Sequence, residues 1–453
     1  MLQILFVSAS ASAITRNIGT LALLLLLLPF NLAMVFLSWI KNIKTNKGEP
    51  QFAPTVNPEK KRILITGAKM TKALQLARSF ARDGHEVYLV ETHKYWLSGH
   101  RFSKAVKGFF TVATPEKDPE RYCQDILKIV QQKNIDLFIP VSSPIASYYD
   151  SLAKVAIAPY CESLHLDPDE TAILDDKHAF CSKARELGLS APKVFSISDP
   201  QQILDFDFES DGSKYIVKSI PYDSVLRLDL TRLPFEGMED YVRSLPISEE
   251  KPWVMQEFIR GKEYCFHATV RNGKIRLHCC SESSPFQVNY EQVDKPAIYQ
   301  WVATFVAKMN LTGQICFDMI QTEDGTVYPI ECNPRLHSAI TMFHDHRGVA
   351  QAYLADGEAK EAPITPLPDS KPTYWMYHEL WRLLSIRSFK ELKAWWNKVI
   401  KGTDAILCPE DPLPFLMLHN WQIPLLLLDN LRRLKGWVKI DFNIGKLVEI
   451  GGD

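Results

Sequence analysis

The chain has 453 residues, 46% of them apolar and 23% charged, ordinary globular composition and enough length for about two or three compact domains. Its 52 basic residues nearly cancel 53 acidic ones, leaving a net charge of −1, so no global field attracts nucleic acid and that class of partner is disfavoured. Nine scattered cysteines form no C-x-x-C pair, which speaks against a zinc site or a disulfide framework and suits a reducing compartment.

The segment 18–40, IGTLALLLLLLPFNLAMVFLSWI, carries no charged residue and as a helix is long enough to cross hydrocarbon, with Pro29 kinking it. Arg16 precedes it and Lys41, Lys44 and Lys47 follow, so the positive-inside bias keeps the rest of the chain in the cytoplasm. A cleaved signal peptide fits less well, because the apolar core is too long and Trp39 sits where an interfacial anchor would. Residues 1–45 are read as a membrane anchor and 46–60, with Pro50, Pro54 and Pro58, as an extended linker.

From Lys61, RILITG, a helical stretch through Phe80, a stop at Gly84 and HEVYLVE give a βαβ opening, and 134–143 adds another buried strand after a helix over 119–133. Residues 61–165 are therefore a small open parallel α/β sheet, whose ligands belong beyond the C-terminal strand ends. Gly67 alone marks the first strand-to-helix turn, so the G-x-G-x-x-G dinucleotide fingerprint is absent and a nicotinamide enzyme is disfavoured. His93, Lys94, Tyr95, Trp96, His100 and Arg101 follow one strand end, and Ser142, Ser143 and Pro144 follow another. Of these, His100, Arg101, Ser142 and Ser143 are carried as candidate substrate groups, set against the plainer reading that such a loop packs on the sheet.

A helix pattern over 175–192 stops at Gly188 and Pro192, and strands follow at 215–220, 253–259, 264–271, 275–280, 315–320 and 327–332. Gly273 in RNGK and Gly325 in EDGT mark hairpins, so this region is α+β and largely antiparallel. The extension 361–453 is rich in tryptophan, and its apolar run 415–440, broken at Pro424, either packs on the body, the simpler reading, or lies at a membrane surface.

The sharpest local signal is FDMI (317–320), the EDGT turn and YPIECNPR (328–335). Glu331 and Asn333 are two apart on a strand and project from one face, and Asp318 reaches that face from the partner strand. Two carboxylates and an amide suit Mg²⁺, which takes hard oxygen ligands beside nucleotide phosphates. Arg335 would meet a transferring phosphoryl group unless Pro334 re-aims it. Any one of these residues alone is an ordinary sheet-edge charge; E-x-N-x-R after a hairpin is not. Lys177 and Lys218 add positive charge for phosphates, the latter closing the β-branched strand KYIVKSI. In WVMQEFIRGKEY, the backbone of Gln256, Glu257, Phe258 and Ile259 is placed to pair with adenine, and Glu263 to accept from ribose hydroxyls.

Lys177, Lys218, Glu257, Glu263, Asp318, Glu331, Asn333 and Arg335 stand in the order and spacing that resembles the ATP-grasp superfamily, over residues 166–345. The resemblance implies two α+β lobes clasping ATP over 166–360. Lys177 and Lys218 would lie on the phosphates, Glu257 and Glu263 near adenine and ribose, and Asp318, Glu331 and Asn333 on Mg²⁺. One departure is the loop after Lys218, SIPYDSVLRL, which lacks the family's glycines; Ser219, Tyr222 or Ser224 would substitute. Over nearly the whole chain, GAKMTKALQLARSF, HKYWLSGHRFS, VSSPIASYYDSLAK, ECNPRLHSAITMF and GWVKIDFNIGKLVEIGGD resemble the cyanobacterial mycosporine-glycine synthases. That likeness implies ATP-dependent phosphorylation of an enol oxygen of 4-deoxygadusol and its displacement by glycine. Arg276 and His337 are candidates for glycine's carboxylate, and Lys218 and Arg335 for stabilising the phosphoryl group. The alternative within enzymes is a carboxylate–amine ligase working through an acyl-phosphate. A nucleotide sensor without turnover is disfavoured because all three metal ligands are present.

Overall fold

The computed structural model describes residues 2–45, 59–141, 143, 146–220, 229–283, 289–354 and 362–449. Most of the expected linker, together with Ser142, Pro144, Tyr222 and Ser224, lies outside the described residues.

The N-terminal segment differs from the single kinked helix expected. It forms α1 (Leu2–Leu26) and α2 (Leu28–Thr45), bent by 41° about Leu27. Pro29 has no N–H and its ring crowds the preceding turn, which breaks the ladder there. Among the described residues no single helix is long and apolar enough to cross a membrane, although the bent pair together meets that length and composition. Nor does the pair stand free. Asn31 Nδ2 donates to Tyr377 Oη at 2.7 Å, Asn420 Nδ2 to Leu24 O at 3.0 Å, and Arg16 Nη1 to Trp437 O at 2.8 Å.

The first sheet contains β1 (Arg62–Ile65), β2 (Glu86–Thr92), β3 (Gly108–Val112), β4 (Leu137–Ile139) and β5 (Glu162–Ser163), parallel in the order β3-β2-β1-β4-β5. Both faces are covered, so side chains alternate between two apolar cores. Leu64, Tyr88, Val90 and Phe138 face α4 (Pro119–Lys133) and α5 (Ala146–Ile157), while Ile63, Ile65, Val87, Leu89 and Ile139 join the core under α3 (Thr71–Arg82). Order reverses between β1 and β4, and there Gly67 adopts φ +67° with its α-carbon so close to Val141 O that a Cβ would come within 2.9 Å. Ten of the twelve residues of α3 are buried, because the helix is wedged between this sheet and the rest of the molecule.

Two helices, α6 (Pro168–Asp175) and α7 (Lys177–Glu186), lead into the second half. A small antiparallel sheet, β6-β8-β7, is built from β6 (Val194–Ile197), β7 (Tyr215–Ser219) and β8 (Trp253–Glu257), with α8 (Pro200–Leu204), α9 (Phe208–Asp211) and α10 (Met238–Ser244) around it. A larger antiparallel sheet has the order β10-β9-β12-β13 and comprises β9 (Lys262–Arg271), β10 (Lys274–Glu282), β12 (Gly313–Gln321) and β13 (Val327–Asn333). The short β11 (Asn289–Tyr290) and α11 (Pro296–Met309) fall between β10 and β12. Gly273 and Gly325, at φ +69° and +87°, turn the two hairpins as their sequences require.

After α12 (Val349–Leu354), the C-terminal extension contains β14 (Thr373–Tyr374), α13 (Met376–Leu383), α14 (Phe389–Lys401), β15 (Thr403–Asp404), α15 (Leu413–Met417), α16 (Ile423–Arg432), β16 (Lys439–Asp441) and β17 (Lys446–Val448). Phe415, Leu418, Ile423 and Leu427 from the run 415–440 are buried in the same core as α3 and the first sheet. Arg78 of α3 fastens the join, donating from Nε to Asp411 Oδ2 at 3.0 Å and from Nη2 to the carbonyls of Ile406 and Asp411.

Candidate active site

The large sheet has two unlike faces. On β9, Tyr264, Phe266, Ala268 and Val270 enter an apolar core with Ile315, Phe317 and Met319 of β12, packed under α11. Period-two alternation turns Glu263, Cys265, His267 and Thr269, with Gln314, Cys316 and Asp318, to the other face. Most of the candidate site residues gather on that face.

Asp318 stands directly opposite Glu331 in the β12–β13 ladder, and a bulge follows immediately, between Asp318 and Met319. Asn333, opposite Cys316, donates from Nδ2 to Asp318 Oδ2 at 3.4 Å. Pro334 does turn the chain, with Arg335 N donating to Asn333 O at 2.7 Å, yet the Arg335 guanidinium folds back to Asn333 Oδ1. Arg335 Nη1 lies 3.7 Å from Asp175 Oδ1 and has no hydrogen-bond partner among the described residues.

Two half-buried carboxylates facing each other across a ladder disfavour each other's ionisation. Burial, then Glu331 and Glu263, push the Asp318 carboxyl up to about 7. Burial would raise Glu331 as well, but Lys177, Lys218 and Arg335 outweigh it and hold this carboxyl below its usual range. Lys177 Nζ is 3.6 Å from Glu331 Oε2. The two carboxylates and the Asn333 amide, which turns Nδ2 to Asp318 and gives Oδ1 to Arg335, are a hard donor set that would suit a divalent cation once the amide flips, and the cation would relieve the repulsion.

The small sheet supplies the opposite wall. Tyr215, Val217, Trp253 and Met255 face its own core, so Ile216, Lys218, Val254 and Gln256 alternate to the side facing the large sheet. Gln256 Nε2 donates to Ile330 O at 3.0 Å. Lys218 has its pKa lowered by burial and by Lys177, against the pull of Glu331, Glu263 and Asp318. Glu263, across the gap, accepts from Ser283 Oγ at 2.9 Å.

Several expected contacts are redirected. Glu257 falls on the core side of β8, and its carboxylate accepts from Lys193 N at 3.0 Å and Ser213 Oγ at 3.3 Å, which takes it out of the cleft. The amides of Glu257 and Phe258 already donate to Lys193 O and Lys214 O, so among the backbone donors of 256–259 neither is left for adenine; Ile259 follows at the strand's exit. Phe258 instead carries Arg232 over its ring at 4.0 Å.

Of the substrate candidates, His337 reaches the cluster, with Nδ1 3.4 Å from Cys265 Sγ. Burial, then His267, Lys72 and Arg335, keep it neutral, far below the usual imidazole value. Arg276 lies at the bulge of the edge strand β10, separated from Asp318 by β9. His100 is fully buried in packing, its Nδ1 2.9 Å from Ala68 O, and Arg101 donates to Trp96 O beside the Phe109 ring. Ser143 lines a separate small cleft at the first sheet's strand ends with Thr66, Gly67 and Glu91.

Sequence reasoning missed Lys72. It enters from α3, donates from Nζ to Leu336 O at 2.5 Å, and is pushed down to about 7 by burial and by Arg335. It also missed the paired thiols of Cys265 and Cys316, 3.2 Å apart under His337. The alternation Glu263, Cys265, His267, Thr269 was the available signal for the thiols. Nothing local distinguishes Lys72, because its burial depends on a helix contacting three other parts of the chain.

No protein-family model matches the chain, and no curated protein sequence does. Solved structures do. A biotin carboxylase from Campylobacter jejuni in a β-γ-ATP complex is 13% identical over 66% of this chain and 72% of its own, with a TM-score of 0.50. An L-amino acid ligase from Bacillus licheniformis is 16% identical, covering 64% and 68%, with a TM-score of 0.47. The biotin carboxylase domain of Hydrogenobacter thermophilus 2-oxoglutarate carboxylase, in complex with MgADP, is 12% identical, covering 61% and 64%, with a TM-score of 0.48. These neighbours are ATP-grasp ligases, and over about two thirds of its length the chain shares the fold of the Campylobacter enzyme.

Proposed function

We propose that this protein is an ATP-dependent ligase that phosphorylates an oxygen of a small acceptor and lets an amine displace the phosphate. The observation that carries the reading is the Asp318–Glu331 pair, set with Asn333 on one wall of a cleft whose other wall presents Lys218. In this reading Asp318, Glu331 and Asn333 hold Mg²⁺, which supplies charge neutralisation for the phosphates. Lys177 and Lys218 bind the phosphates, and Gln256, the Ile259 backbone and Glu263 line the nucleoside end. Arg335, whose Nη1 pairs with Asp175 but makes no hydrogen bond among the described residues, meets the transferring phosphoryl group.

The motif likeness points to an enol oxygen of 4-deoxygadusol as acceptor and glycine as amine. That oxygen attacks the γ-phosphorus and ADP leaves; the amine nitrogen then adds to the carbon bearing the phosphate, the C–O bond breaks, and inorganic phosphate and a proton are released. No protein nucleophile is needed. In this reading His337, beside Cys265, and Lys72, which holds the Leu336 carbonyl two residues past Pro334, are assigned to the acceptor side. The same reading puts this chemistry at a bilayer on the cytoplasmic side, held there by α1 and α2.

Incubating the full chain with Mg²⁺-ATP, glycine and 4-deoxygadusol, and following ADP and product mass, tests it. A glycine adduct formed with ADP supports the proposal. ADP release only with a carboxylate and an amine transfers the assignment to acyl-phosphate chemistry, and no ADP release with either acceptor removes the ligase reading.

A further inference from the structure

Burial along α1 and α2 is inverted relative to a helix on a water-facing globule. The buried positions recur every seven residues, at Asn17, Leu24, Asn31 and Ser38, and three of these four are polar. The outer side is apolar: Leu25 is 69% exposed and Leu26 77%, with Ile18, Leu23, Phe36 and Leu37 exposed as well. Polar groups turned toward protein and leucines turned away are what a helix facing lipid requires. Asn17 Nδ2 donates to Lys435 O at 3.0 Å, and Asn31 to Tyr377 Oη and Asn420 Oδ1, both at 2.7 Å.

A second element repeats the signal. No residue of α14 is buried, and Phe389, Leu392, Trp396 and Ile400 recur at three- and four-residue steps along it. Trp381 and Leu384, at the end of α13, are 71% and 78% exposed. Between residues 381 and 401 stand Arg382, Arg387, Lys390, Lys393, Lys398 and Lys401 against Glu391 alone. The two elements are neighbours: Tyr377 of α13 holds Asn31 of α2, and Trp395 Nε1 of α14 donates to Glu379 O of α13 at 3.0 Å.

We propose that α1–α2 and α13–α14 form a monotopic seat on an anionic lipid bilayer, lying in the interface and not crossing it. The charge excess selects anionic lipid, and apolar rings flanked by lysines suit the headgroup boundary. Crossing is opposed by the partners of the polar seam. Arg16 and Asn17 are bound to 435–438 and Asn31 to Tyr377 and Asn420, so a spanning α1–α2 would draw the Asp429–Arg433 ion pair and its neighbours into hydrocarbon. The proposal is independent of the acceptor's identity and of turnover.

The test is flotation of the full chain with vesicles of phosphatidylglycerol and phosphatidylcholine, or of phosphatidylcholine alone, with an N-terminal tag open to external protease. The seat predicts at least tenfold tighter partitioning to the anionic vesicles and a tag that stays cleavable. Replacing Lys390, Lys393 and Lys398 together by Gln should weaken anionic binding by about a hundredfold, roughly fivefold for each charge. Trp396→Glu should weaken it too, and since α14 buries nothing, the thermal melt of both variants should match the parent. A protease-protected tag would mean a spanning helix and would overturn the proposal. So would absence of flotation with the anionic vesicles; dimerisation in light scattering would then assign the apolar face to a second copy.

Discussion

Below neutral pH, binding of a divalent cation should expel a proton from Asp318. Its carboxyl is raised from 3.8 to about 7 by burial and by Glu331 and Glu263. The direction fixes the sign: the folded protein keeps this proton at pH values where a solvated aspartate has lost it, and a metal ligand must give it up. With the carboxyl raised, binding should release more proton at pH 6 than at pH 8, and cation affinity should fall as the pH drops below neutral. Calorimetric titration of Mn²⁺ into the nucleotide-free full chain, at each pH in two buffers of different ionisation enthalpy, measures that release. Asp318→Asn should abolish it and weaken binding. Equal proton release at pH 6 and pH 8 in the parent protein would refute the coupled-carboxylate reasoning.

Three further outcomes follow from other parts of the structure. Arg78→Met should destabilise the fold by about 3–5 kcal/mol in denaturant titration, because the fully buried Asp411 loses its counter-ion and keeps only the hydrogen bonds from Ser103 Oγ and Lys104 N; a loss under about 1 kcal/mol would contradict the role given to that join. Lys218→Met should lower kcat by about a hundredfold to a thousandfold while Mn²⁺ binding persists, and an unchanged kcat would remove Lys218 from the phosphates. Lys72→Met should raise KM for the acceptor by about tenfold to a hundredfold with ATP affinity unaltered; weakened ATP binding would move Lys72 to the nucleotide side.

The chain's alternation and turns made most of this architecture legible. RILITG and HEVYLVE read as parallel strands because each is buried on both faces, Gly273 announced the β9–β10 hairpin, and Gly325 the hairpin that sets Asp318 opposite Glu331. The E-x-N-x-R spacing carried the rest of the carboxylate cluster. Glu257 was misread because a strand's period of two separates it from Gln256, and neighbours at Lys193 and Ser213 decide which face is the cleft. His100, in a basic-aromatic loop, looks like a ligand group until Gln422 and Leu418 from over three hundred residues away close over its loop. Lys72 and the docking of α1–α2 were illegible for the same reason: both are set by contacts between distant segments.

The central claim is that an acceptor oxygen is phosphorylated before the amine arrives. The most direct measurement uses the full chain with Mg²⁺-ATP, glycine and 4-deoxygadusol labelled with ¹⁸O at its enol oxygen, followed by mass spectrometry of the phosphate released. The account predicts inorganic phosphate carrying one ¹⁸O atom for each glycine adduct formed. Unlabelled phosphate alongside the adduct would mean that ATP is hydrolysed without activating that oxygen, and the account would be contradicted.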